Sequence, residues 1–169
     1  MKATLHTVEG KTTDVSGEIT LPAAPGTNGF AVDGRIVIAA RTLDTGNRSR
    51  DKRMRSESLA VDQYPEIVFV PSRAVGAVAN FSPGTSSALK LEGELTIRGV
   101  KKAVSLDVTC RFTDTGFVAD GAASLSFLDF GVPDPSNFFL HVSPALAIDV
   151  HLEGSRHDAP SPGRADRGS

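Results

Sequence analysis

Four histidines and one cysteine are the residues of this chain best suited to acid–base, nucleophilic or metal chemistry. His6, His141, His151 and His157 lack the short spacings that bring zinc ligands together, and a lone cysteine cannot complete a thiolate site or an internal disulfide. His151 alternates with Val150 and Leu152, which puts it on the wet face of a strand, where solvation and not metal binding is expected. Cys110 stands between Val108 and Phe112 at the same alternate spacing. Such neighbours raise the pKa of a thiol and leave it a small hydrophobe. No glycine-rich phosphate loop follows a strand, Gly-x-Ser-x-Gly is absent, and no two carboxylates share an apolar face. Nothing supplies a nucleophile with its base and orienting partner. The expectation is a protein with no catalytic residues, no metal ligands and no cofactor. Were an enzyme site to lie at the mouth of the fold, Arg98, His141 and Asp129 would be its candidates.

One stretch gathers positive charge. Asn47 to Leu59 holds Arg48, Arg50, Lys52, Arg53 and Arg55, good helix formers and a density that invites a phosphate-binding reading. Asp51 and Glu57 interrupt the run, and the whole chain of 169 residues sets 18 Lys and Arg against 20 Asp and Glu, a net charge of −2. This balance favours a short helix with a solvated face, in a crossover that ends before Tyr64-Pro65. It gives no basis for nucleic acid or an anionic membrane surface as partner, since both call for a basic excess. No apolar run nears the ~20 residues of a transmembrane helix. The opening Met1-Lys2-Ala3-Thr4-Leu5-His6 lacks the apolar core of a secretory signal, so a cytoplasmic location is expected.

The elements that must carry these residues are strands. Leu89, Leu91, Gly93, Leu95 and Ile97 alternate with charged or polar residues up to Arg98, and Val104, Leu106, Val108, Cys110 and Phe112 do the same after Gly99-Val100-Lys101-Lys102. Two half-buried strands joined as a hairpin result. Leu146, Ile148, Val150 and Leu152 repeat the pattern near the end. Further strands are read at residues 4 to 9, Val15 to Leu21, Phe30 to Ala40, Ile67 to Val70, and Phe117 to Phe127 with Leu125 and Phe127 inward, about eight in all. Long strands with one apolar face and mostly short links fit an all-β chain closed as an extended eight-stranded antiparallel up-and-down β-barrel, with one short helical crossover. Residues 1–154 form that domain, and 155–169, with almost nothing apolar to bury, a disordered tail.

An eight-stranded barrel has an interior that side chains fill or that holds one small ligand. Gly17, Gly34, Gly93 and Gly121 lie on strands and leave space wherever they fall inward, while nine phenylalanines are available to plug it. The residues by themselves leave hollow and plugged interiors equally open.

Several blocks in order resemble one family. Leu95-Thr96-Ile97-Arg98-Gly99-Val100-Lys101-Lys102-Ala103-Val104-Ser105-Leu106-Asp107-Val108 is similar to the hairpin of YceI-like proteins. Arg50-Asp51-x-x-Met54-Arg55-Ser56, followed by Tyr64-Pro65-x-Ile67-x-Phe69, resembles a second block of that family, Gly10 to Gly17 an early one, and Asp129-Phe130-Gly131 a late one. The resemblance implies a lipocalin-like barrel that takes a long apolar chain, a polyisoprenoid or fatty amphiphile, into a hollow lumen. Arg53 and Arg98 stand where the family often has histidine, and Phe127 where it usually has arginine. Against that family the first strand is expected to be shortened or missing, and a homodimer through the edge so left is a further expectation.

The leading reading is therefore a lipid-binding protein that carries or stores a long-chain isoprenoid or other lipid. Its lumen contacts would be Ile36, Ile38, Ile67, Phe69, Leu91, Leu95, Ile97, Leu106, Val108, Phe112, Leu125, Phe127, Ile148 and Val150, with Phe138 and Phe139 as a lid. A barrel used through its surface, as an interaction or stress-response module, is the alternative.

Overall fold

The computed structural model describes residues 10–134 and 143–156. The expected strand at residues 4 to 9, the lid residues Phe138 and Phe139, His141 and all but the start of the tail lie outside them. The elements are β1 (Val15–Thr20), β2 (Phe30–Ala31), β3 (Asp33–Ala39), α1 (Arg48–Arg53), β4 (Glu66–Val75), β5 (Ser86–Ile97), β6 (Val100–Phe112), β7 (Gly116–Ser126) and β8 (Ala145–Ser155). They form one antiparallel sheet in the order β1-β3-β4-β5-β6-β7-β8, with β2 paired to β4. The sheet curls so that one face is concave, and among the described residues no pairing joins β8 back to β1.

The register shows why alternation was a safe guide. Leu91 pairs with Leu106, Leu89 with Val108 and Ile97 with Val100, so apolar residues of β5 and β6 share the concave face. The hairpin turn is tighter than the four residues expected. Only Arg98 and Gly99 lie between the strands, both with positive φ (53° and 74°), as a two-residue hairpin with matching twist requires. Lys101 and Lys102 therefore belong to β6.

Alternation fails at two places, each for a local reason. In β4 the register slips between Pro71 and Arg73, because Pro71 has no N–H for the ladder and Ser72 is inserted as a bulge. The extra residue reverses parity, so Phe69 and then Ala74 face inward. Apparent periodicity from Ile67 thus stops at Val70 although the strand runs to Val75. The second failure corrects the placement of Phe127. It does not extend β7; it begins a 3-10 turn, Phe127–Phe130, closed by Gly131 in the left-handed region (φ 66°). The turn buries Phe130 instead, at 2% exposure.

The crossover is helical where the charged run predicted it. Asn47 caps α1 by accepting hydrogen bonds from the Ser49 and Arg50 amides, both at 3.1 Å. A single π turn over Met54–Ser58 follows, with the Leu59 amide donating to the Met54 carbonyl at 2.8 Å. The added residue turns Leu59 onto the apolar interior and buries Val61. At the other boundary β8 runs through Ser155, and the Arg156 guanidinium donates to the Phe81 carbonyl at 3.1 Å.

Candidate functional site: the concave face

Thirteen of the expected lumen residues share the concave side of the sheet, paired across it as Ile36 with Phe69, Ile38 with Ile67, Leu91 with Leu106 and Val150 with Gly121. They are not equally covered. One buried cluster fills the end near the bulge: Phe30, Val32, Ala74, Val78 and Phe112, joined by Phe81. The Phe81 ring meets Phe30 at 5.2 Å edge-on and Phe112 at 5.3 Å. A second cluster, Phe69, Leu95, Ile97 and Phe130, fills the opposite end, with Leu59 and Ile67 packed against it. Leu91 touches both.

Arg98 fastens that second end. From the hairpin tip its guanidinium reaches the carbonyls of Glu57 (3.4 Å), Ser58 (3.2 Å) and Gly131 (3.3 Å), tying the π turn, the hairpin and the 3-10 turn together. Tyr64 packs so close to Gly99 that a Cβ there would lie 2.8 Å from its ring. Of the three enzyme candidates, His141 lies outside the described residues. Arg98 is engaged by backbone and Asp129 is exposed on the 3-10 turn.

The concave side of β7 and β8 differs. Ile148, Val150 and Leu152 are half-buried and Leu146 is 42% exposed, and none of them joins either cluster. They form an apolar trough next to Val108 and Leu125. Leu146 and Leu152 have the parity of Ile148 and Val150, so alternation carried the signal for them too. The four strand glycines separate along the same line. Where Gly93 stands, a Cβ would lie 2.7 Å from the Phe69 ring, so that space is already filled. At Gly17 and Gly34 neighbouring backbone occupies the position. Only Gly121 leaves room, its nearest neighbour being a Val108 methyl at 3.4 Å. Among the described residues the concave face is thus plugged at both ends, and the inward row of β8 joins neither plug.

Elsewhere, Cys110 packs half-buried against the first cluster, and burial raises its thiol pKa. His151 is on the convex face, with Nδ1 2.6 Å from Asp120 and Nε2 3.5 Å from Glu153. Among the described residues no three His, Cys, Asp or Glu side chains are placed to hold a metal ion, and no helix is long and apolar enough to cross a membrane.

The same curled sheet occurs in solved proteins of low sequence similarity. A YceI protein of Campylobacter jejuni superimposes with a TM-score of 0.70 at 18% identity, covering 94% of this chain and 90% of that one. BcnA of Burkholderia cenocepacia gives 0.64 at 19% identity, with 84% of each chain covered. A polyisoprenoid-binding domain from Saccharophagus degradans, implicated in plant cell wall breakdown, gives 0.51 at 16% identity over 70% of this chain and 75% of that one. No curated protein is similar enough to be matched. The sequence itself matches the YceI-like domain over residues 1–154, a span that holds the bulged β4, the Arg98–Gly99 hairpin and the trough of β8. With a family match over residues 1–154 and a shared curled sheet in agreement, the chain belongs to the YceI-like family.

Proposed function

We propose that this protein binds a long apolar chain, a polyisoprenoid or a fatty amphiphile, along the concave trough of β7–β8, and carries or stores it. The observation that carries this reading is the row Leu146, Ile148, Val150 and Leu152, apolar at every inward position of β8 yet packed into neither cluster. A contiguous apolar row outside the packed core is the kind of surface on which apolar ligands bind. The fold shared with a polyisoprenoid-binding domain supports the choice of ligand class. Burying apolar surface contributes about 25 cal/mol per Å2, and after association costs an extended chain reaches an affinity on the order of micromolar.

The contacts proposed are Leu106, Val108, Leu125, Ile148 and Val150, with Leu146 and Leu152 added. Ile36, Ile38, Ile67, Phe69, Leu91, Leu95, Ile97 and Phe112 form the walls and ends. Gly121→Phe is the decisive variant, because it fills the trough at the one strand glycine with room. Native mass spectrometry of the wild-type protein from its own host should find a bound chain, and a purified long prenol should be taken up. The variant should fold and lose most of that uptake. A wild type that carries nothing and takes up nothing, or a folded variant with undiminished uptake, overturns the reading.

A further inference from the structure

The basic run that the apolar trough leaves unexplained lines a cleft of about 570 Å3 between α1, the residues leading into it, and Val61–Asp62. Four cations border it, Arg41, Arg48, Lys52 and Arg55, and three carboxylates, Asp44, Asp51 and Asp62. The carboxylates are already engaged. Asp51 is buried and accepts from the Thr45 hydroxyl at 2.5 Å and the Thr45 amide at 3.0 Å, bonds that lower its pKa and keep it ionised. Asp44 accepts from the Gly46 amide at 2.7 Å, and Asp62 pairs with Arg41 at 2.7 Å.

Asp44 and Asp51 keep their charge, Arg55 lies in the field of Asp51, and the cleft's four cations outnumber its three carboxylates by one. Arg55 is fixed by one bond, to the Leu43 carbonyl at 2.8 Å, while its Nε is sealed from solvent with no acceptor among the described residues. A buried N–H without a partner is unusual and costly to the fold. Arg48 and Lys52, one helical turn apart on α1, have no side-chain partner among the described residues. The cations therefore outnumber the cleft's carboxylates, and Arg48, Lys52 and Arg55 reach the same cleft from one continuous helical segment, several donors together as a multi-oxygen anion can use.

We propose that this cleft binds a phosphate group, held at its rim by Arg48 and Lys52 over the fixed charge of Arg55. Free phosphate and the phosphorylated head of a lipid offer the same chemistry. The site stands apart from the apolar trough and does not depend on it.

Calorimetric titration with inorganic phosphate, dodecyl phosphate and dodecanol tests it, using wild type, the double variant R48A/K52A, and R53A. Arg53 lies on the same helix, is paired with Glu57 and does not line the cleft, so it controls for unspecific attraction. The expected result is at least an about tenfold weaker affinity for the phosphorylated ligand in R48A/K52A and an unchanged one in R53A. Inorganic phosphate binding as tightly as dodecyl phosphate identifies a free anion as the ligand; dodecyl phosphate alone binding identifies a lipid head group. Absence of binding by both, equal losses in both variants, or no loss in R48A/K52A overturns the proposal. Dodecanol separates the two sites. Its failure to bind beside an Arg48- and Lys52-dependent phosphate counts against the trough and leaves the cleft standing.

Discussion

The inner sides of β4–β5 and of β8 carry the same kinds of residue at the same spacing, yet the first is packed into the buried clusters and the second joins neither. Phe69, Leu95 and Ile97 fall below 10% exposure because Leu59, Phe130 and the Arg98 clamp roof them. Leu146 on β8 is 42% exposed because no described residue lies over it. The difference teaches that alternation specifies which face is apolar, whereas insertions between strands decide whether that face becomes packed interior or ligand site.

The largest effect that tests this contrast is at Phe130. Its ring is the most completely buried large side chain of the second cluster, so Phe130→Ala should cost about 3–5 kcal/mol in urea unfolding. Ile148→Ala, on the unroofed side, should cost well under half of that while weakening chain uptake. Equal costs would mean that β8 is core after all.

A smaller effect distinguishes two glycines. Gly93→Ala puts a methyl 2.5 Å from the Val70 carbonyl and 2.7 Å from the Phe69 ring, and should cost about 1–3 kcal/mol through forced displacement. Gly121→Ala meets only ordinary contacts, and should change stability by less than about 0.5 kcal/mol. A Gly121 variant as damaging as the Gly93 one would show that the trough is not empty.

How much of this was legible without coordinates follows the same division. The β5–β6 hairpin could be read residue by residue, since two-residue periodicity directly encodes one dry and one wet face. The helical crossover was legible from its helix formers and from Tyr64-Pro65. Phe127 was misplaced because its spacing continues β7, while the 3-10 turn that ends the strand is set by Gly131 and the burial of Phe130. The bulge at Ser72 was hidden for a related reason, as an inserted residue breaks the period that would reveal the strand. Which glycine tolerates a side chain was illegible, because Gly93 and Gly121 have the same parity and only the Val70 carbonyl and the Phe69 ring beside Gly93 tell them apart. The cationic cleft was visible as composition, but the Arg55 Nε buried without an acceptor was not, since burial of a single side-chain atom depends on tertiary packing.

The smallest predicted effect concerns how β8 is held when its inner side is unpacked. Its backbone ladder to β7 runs from Ser155 to Ala145, and on the convex face His151 sits directly opposite Asp120 and beside Glu153. The hydrogen bond to Asp120, and then that to Glu153, favour the imidazolium and raise the His151 pKa above its usual value of 6.5. A raised folded-state pKa means that the protonated pair stabilises the native strand fully below the unfolded value, and that this contribution is lost as pH rises through the folded one. All three groups are exposed, so the effect on global stability is slight and falls with salt. An NMR titration should nonetheless place the His151 midpoint above that of an unstructured histidine, and Asp120→Asn should bring it down. Protection factors of β8 amides, which remove the intrinsic pH dependence of exchange, should be lower above the midpoint than below it, with those of β5 unchanged, because the strand without a packed side leans on its outer-face pair. A midpoint at or below the unstructured value, or a response shared equally by β5, would show that β8 is anchored by something other than its ladder and this pair.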